Sequence, residues 1–151
     1  MQPTPAGWSR FSSGVVYRDA AAAIDWLCDA FGFEMKLKVV GINGRIEHCE
    51  LVYGDGLIMV AQENPAGANG WRQLLRSPQS LGGANTQTLM VYVDDAEAHC
   101  ARARGRGARI VEELAVHDYG EEFWADRSYG ALDPEGHMWW ITQRLRSAPA
   151  V

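Results

Sequence analysis

The sequence predicts an α+β fold of two βαβββ modules, their sheets curled around a shared cleft. Three observations point there. A segment recurs without a gap: V-Y-R-D-A-A-A-A-I-D-W-L-C-D-A-F-G, Val16 to Gly32, lies over V-Y-V-D-D-A-E-A-H-C-A-R-A-R-G-R-G, Val91 to Gly107, at a constant offset of 75 residues. The matches fall at Val16/Val91 and Tyr17/Tyr92 in a strand end, Asp19/Asp94 at a helix start, Ala21/Ala96 and Ala23/Ala98 inside the helix, and Gly32/Gly107 at its close. Each copy is then followed by three strand-like runs, and a stretch rich in Gly, Pro, Asn and Ser separates the copies. The chain of 151 residues, 47% hydrophobic, suits one domain with a real core. Its expected organisation is a first module at about 11–63, a linker at 64–85 and a second module at about 86–145.

Taken in order, each module opens on a β-prone run, SSGVVY in the first and QTLMVYV in the second. An Asp then accepts hydrogen bonds from the free N–H groups of a first helical turn. A helix of about a dozen residues follows. In the first copy Ile24, Leu27, Cys28 and Phe31 have the spacing of one buried face, and Gly32 stands where a left-handed residue ends the helix. Three strands come next, EMKLKVV, RIEHCELVY behind G-I-N-G, and LIMVAQ behind G-D-G, expected to make an antiparallel sheet with the first strand. The second copy continues with RIVEELAV, a loop holding His117, then WADRSYGAL and HMWWITQR behind D-P-E-G. The linker carries a possible short helix at Trp71 to Leu75, and a connection that long is usually functional.

Composition narrows the classes of function. A net charge of −5 argues against a nucleic-acid or anionic-membrane partner, and the basic run Arg102, Arg104, Arg106 and Arg109 reads as the solvated end of a helix. Three cysteines without C-x-x-C spacing give neither a disulfide framework nor a zinc knuckle. The start of the chain has no signal-like apolar run, and no segment reaches the roughly 20 apolar residues of a membrane helix. The expectation is a cytoplasmic protein.

The paired modules, the helix start Y-R-D-A-A-A-A-I-D-W-L and the ending R-S-Y-G-A-L-D-P-E-G-H-M-W-W resemble the vicinal oxygen chelate superfamily, which includes glyoxalase I, extradiol dioxygenases and bleomycin-resistance proteins. G-R-I-E-H-C-E-L-V-Y-G-D-G-L-I-M-V further resembles its PhnB-like branch. The resemblance implies homodimers whose two chains both contribute to each cleft. In metal-dependent members it also implies one His or Glu ligand on the first and last strand of each module, leaving positions open for a chelating substrate. Counting from the helix starts and the turns puts Ser12 (or Ser13), Val60, Thr88 and Trp140 there. None is a usual ligand, so no metal and no other cofactor is expected.

Strand alternation proposes a lining for the cleft. Ser12, Gly14 and Val16 come from the first strand, His48 and Glu50 from the third, Ile58, Val60 and Gln62 from the fourth. Thr88, Met90, Tyr92, Met138, Trp140 and Thr142 come from the second copy. This set suits a flat or apolar organic ligand, although the same residues can also pack a closed core. His48 and Glu50 are read as an acid–base pair or as a polar pair on a solvated face. Arg127 is read as the holder of a ligand carboxylate or phosphate, or as the partner of Glu121, Glu122 or Asp126. His99 is assigned to the helix surface or to helix packing, and His137 to the side away from the cleft. Trp71 and Trp124 are candidates for a lid or a dimer contact.

Three functions compete on this reading. The first is metal-independent, bleomycin-resistance-like binding of a small aromatic or apolar molecule. The second is a lyase or isomerase using His48 and Glu50, with Tyr92 or Arg127 stabilising a developing negative charge. The third is an interaction module whose cleft is filled.

Overall fold

A computed structural model describes residues 1–149. The chain forms two compact units, Met1–Ala84 and the remainder from Asn85, each holding one βαβββ module. In the first, β1 (Ser13–Tyr17) leads into α1 (Ala20–Trp26), which widens into a π-helical turn at Leu27–Phe31, and β2 (Glu34–Val40), β3 (Ile46–Tyr53) and β4 (Gly56–Gln62) follow. In the second, β5 (Thr88–Tyr92) leads into α2 (Ala96–Gly105), and β6 (Arg109–Asp118), β7 (Ala125–Leu132) and β8 (Met138–Arg146) follow.

Both sheets have the same strand order, β1-β4-β3-β2 and β5-β8-β7-β6. The expectation of antiparallel sheets is corrected at one pair in each. β1 runs parallel to β4, and β5 parallel to β8. The cause is the helix, a crossover that returns the chain to the same sheet, so that the last strand closes beside the first.

Each sheet buries one face under its helix. In the first unit Val15, Tyr17, Cys49, Leu51 and Val60 are fully buried, together with Ile24, Leu27 and Phe31 of the helical segment. In the second, Tyr129, Ala131, Trp139 and Ile141 are fully buried, and α2 lies against β6, β7 and β8. His99 of α2 is buried too, its Nδ1 2.7 Å from the Tyr129 hydroxyl. The D-P-E-G turn is held by Asp133. Its Oδ1 accepts from the N–H groups of Glu135 and His137, and its Oδ2 accepts from the indole N–H of Trp139 at 3.0 Å. His137 is buried beside that turn.

The structure also corrects the repeat. Asp19 caps α1, accepting from Ala22 N–H, whereas the cap of α2 is Asp95, which accepts from Glu97 and Ala98, and not Asp94. The two caps are therefore 76 positions apart, while the left-handed closing glycines Gly32 (φ 82°) and Gly107 (φ 89°) are 75 apart. The lost residue is the π-helical turn, which takes one more residue than the α-helix it interrupts. Ahead of the helices, β1 and β5 therefore align one residue off the gapless match.

The rest of the first unit is irregular. The expected helix at Trp71 to Leu75 is a 3₁₀ turn at Gly70–Leu74, and a second one follows at Pro78–Leu81, begun by Ser77 capping Gln79 N–H. No described helix is long and apolar enough to cross a membrane.

Candidate functional site

On β5, Leu89 and Val93 go to the helix side, while Met90 and Tyr92 stand on the other face, 59% and 48% exposed. The register puts Thr88 beside Met138, Met90 beside Trp140 and Tyr92 beside Thr142, and residues directly opposite in a ladder share a face. On β7, Gly130 pairs with Trp140 and Ser128 with Thr142. The open face of the second unit thus gathers Thr88, Met90, Tyr92, Met138, Trp140 and Thr142 as the alternation proposed. Gly130 makes room for it: a β-carbon there would stand 2.7 Å from Met138 Cε and 3.4 Å from Trp140 Cζ3.

The same face carries a cluster that the sequence reading missed. Arg144, two residues beyond Thr142, donates from Nε to Asp126 Oδ1 at 2.5 Å and from Nη2 to the Tyr92 hydroxyl at 2.7 Å. Its guanidinium lies 5.4 Å from the Tyr92 ring centre and 5.6 Å from that of Trp124, a cation–π arrangement on two rings. The hydrogen bond to Asp126 raises the Arg144 pKa above its usual value against the opposing effect of burial, so it stays a cation. The signal was available: the period of two that placed Trp140 and Thr142 also places Arg144.

In the first unit, the open face presents His48 and Glu50, Nε2 to Oε1 at 3.2 Å. Glu50 is buried, and Lys36 Nζ approaches its other oxygen at 3.1 Å. Lys36 also donates to Gly7 carbonyl oxygen and sits 5.1 Å over the Trp8 ring, which ties the start of the chain to this spot. The hydrogen bond from His48 holds the Glu50 carboxyl below its ordinary pKa; burial opposes it and Lys36 adds to it. Gly14 and Val16 share this face with Met59 and Ala61, their partners across the β1–β4 ladder. Ser12, just before β1, is half-buried with its hydroxyl 3.0 Å from that of Ser9.

Three placements differ from expectation. Val60 pairs with Cys49 and Val15 and is fully buried on the helix side, and Ile58 and Gln62 share that side by alternation, so none of the three lines the open face. Matching Gly56 to Gly136 caused the error. Gly56 already pairs with Tyr53 in the ladder, whereas Gly136 lies inside a longer turn, and a slip of one residue exchanges faces. Met59 is the true counterpart of Trp140. Arg127 lies on the helix face of β7 and reaches Glu97 of α2 at 3.9 Å, away from the Trp140 wall and from the acidic residues proposed for it. His117 is not in a loop but in β6, paired with Asp126.

The donor set does not fit the metal ion implied by the resemblance. The open faces offer Thr88, Met90 and Trp140 in one unit and Gly14 and Met59 in the other, and none of these side chains is an ordinary ligand for a divalent ion. Among the described residues no group of three or more His, Cys, Asp or Glu is placed to hold a metal.

The family model for the Glyoxalase/Bleomycin resistance protein/Dioxygenase superfamily matches residues 11–141. The chain belongs to that superfamily. Within it, the chain is 32% identical over 135 residues to the uncharacterized protein Rv0887c of Mycobacterium tuberculosis (strain ATCC 25618 / H37Rv), an alignment covering 89% of this chain and 74% of that one. Among solved structures it is similar to TioX from Micromonospora sp. ML1, with 30% identity, a TM-score of 0.67, and 91% of this chain and all of that chain covered. It shares the fold of TnmS3, an antibiotic binding protein from Streptomyces sp. CB03234, at 18% identity and a TM-score of 0.56, covering 88% and 93%. Superfamily membership fixes the two modules and leaves the chemistry to the open faces just described.

Proposed function

We propose that this glyoxalase-superfamily protein binds a small, flat aromatic or apolar molecule without a metal ion, on the open face of its second module. One observation carries the reading: Trp140 and Met90 stand side by side across the β5–β8 ladder with Tyr92 on the same face, Met90 and Tyr92 about half exposed. Polarisable and aromatic side chains of this kind bind planar ligands by stacking, each ring pair contributing roughly 0.5–1.5 kcal/mol beyond buried area. That TnmS3 is an antibiotic binding protein supports the fold as a binding scaffold. The polar contacts on Arg144 keep the Tyr92 ring oriented beside the wall.

The test is a tryptophan-fluorescence titration with a panel of planar aromatic compounds, repeated on Trp140→Ala. Affinity falling about tenfold in the variant supports the reading, each tenfold corresponding to about 1.4 kcal/mol. Unchanged affinity, or one tightly bound transition-metal ion per chain in the purified protein, overturns it.

The reading extends to a cytoplasmic homodimer. The unpaired Cys28, Cys49 and Cys100 suit a reducing compartment, and light scattering on the purified chain tests the dimer. A second reading, a lyase or isomerase, is favoured by the His48–Glu50 contact. Turnover left intact by His48→Gln removes its basis.

A further inference from the structure

The His48–Glu50–Lys36 cluster belongs to the first module, and its geometry determines more than a polar contact. Glu50 is anionic: His48 and Lys36 both approach its carboxylate, at 3.2 and 3.1 Å, and both hold its proton off. An ionised carboxylate only accepts hydrogen bonds, so a neutral His48 facing it through Nε2 carries its proton on Nε2. Nδ1 is then a bare lone pair, and among the described residues no hydrogen bond or ion pair uses it. The imidazole is 36% exposed.

The ladder partners of His48 and Glu50 are apolar. Across the β2–β3 ladder Val39 stands beside His48 and Leu37 beside Glu50, 44% and 45% exposed, and Met59 stands beside Glu50 on β4. A fixed acceptor set among aliphatic side chains matches a molecule with the inverse pattern, an apolar ring bearing one weakly acidic O–H. A carboxylate has no proton to give at neutral pH, and a phosphate or an ammonium brings a full charge that does not match the aliphatic surround.

We propose that the open face of the first module is a binding subsite for a neutral aromatic hydroxyl, which donates to His48 Nδ1, with Glu50 as the positioning residue that fixes the imidazole tautomer and Lys36 as its ion-pair partner. The subsite is built from residues of the first module and requires no turnover.

Two measurements on the full chain test it. In nitrogen-15 histidine NMR at about pH 8.5, where imidazoles are neutral, the signal lost in His48→Gln identifies His48. The expected result is the Nε2–H tautomer in the unaltered protein and a mixture of tautomers in Glu50→Gln. An Nδ1–H tautomer or a mixture in the unaltered protein overturns the proposal, and this reading needs His48→Gln only to assign the signal. The second measurement titrates 4-ethylphenol and its methyl ether, 4-ethylanisole, while following the His48 ring. The phenol is expected to bind about fivefold more tightly, the net value of one neutral hydrogen bond, and to lose that preference in His48→Gln. Equal affinity of the two probes, or no response to either, overturns the assignment of the ligand class. Neither readout involves Trp140, so failure here and failure of the proposed function are separable.

Discussion

Glu50 and Gly130 occupy equivalent positions in two sheets of identical strand order and produce opposite surfaces. Each sits on the third strand of its module, opposite Met59 in one case and Trp140 in the other. In the first module the carboxylate draws Lys36 and His48 onto the face and makes it polar at its centre. In the second, the missing side chain leaves space into which Met138 and Trp140 settle, and the centre is aromatic. The backbone ladder dictates only which residues share a face. One residue on the third strand then selects whether that face offers a hydrogen-bonding group or a stacking plane.

The widest test of this division uses the adjacent tryptophans. Trp139→Ala removes a fully buried ring on the helix side and leaves Asp133 without its indole donor, so it is expected to cost about 3–5 kcal/mol in denaturant unfolding. Trp140→Ala, on the open face, is expected to cost about 1 kcal/mol. Equal costs would break the assignment of faces. Next comes Gly130→Ala, whose new methyl group meets Met138 Cε and Glu112 Cβ. It is expected to cost about 1–3 kcal/mol as overpacking and to shift the Trp140 emission, which a change confined to the helix side would not do.

A smaller contrast lies in the caps. Asp95 accepts from Glu97 and Ala98 N–H and Asp19 accepts from Ala22 N–H, so Asp95→Ala is expected to cost about 1.5 kcal/mol and Asp19→Ala about 0.5–1 kcal/mol. The smallest effect is read in acid. The Glu50 carboxyl titrates below its ordinary value of 4.5 in the folded chain, so its contribution is present above pH 4.5 and is lost as the pH falls through the folded value. Asp118, held at about 2 mainly by Arg146, behaves the same way in the second module. Glu50→Gln is expected to flatten the decline of the urea midpoint just below pH 4.5, leaving the part due to Asp118 at lower pH.

The strands, the closing glycines of the helices and the face shared by residues of the second module were legible because they rest on periodicity and helix-ending chemistry, which are local. His48 and Glu50 were separated from Cys49 and Leu51 by polarity alone, and the ladder puts them on opposite faces. Val60 was misplaced because turn lengths differ between the copies, and equivalence across a turn is not a local property. Lys36 and Arg144 escaped notice for another reason. A long cation finds its partner through three-dimensional neighbours, Glu50 in one case and Asp126 with Tyr92 in the other, and none of these lies close in sequence to its cation.

The π-helical turn at Leu27–Phe31 gives the architecture a place to absorb a change of length. An extra residue in β3 would turn His48 and Glu50 inward and Cys49 and Leu51 outward. In the helix the same residue rotates a few side chains and is taken up before Gly32. The working surface of each module can therefore keep its frame while its connecting helix lengthens or shortens. Removing one residue from 27–31 is the edit this chain should best survive, and a grafted module should be trimmed there rather than in its strands.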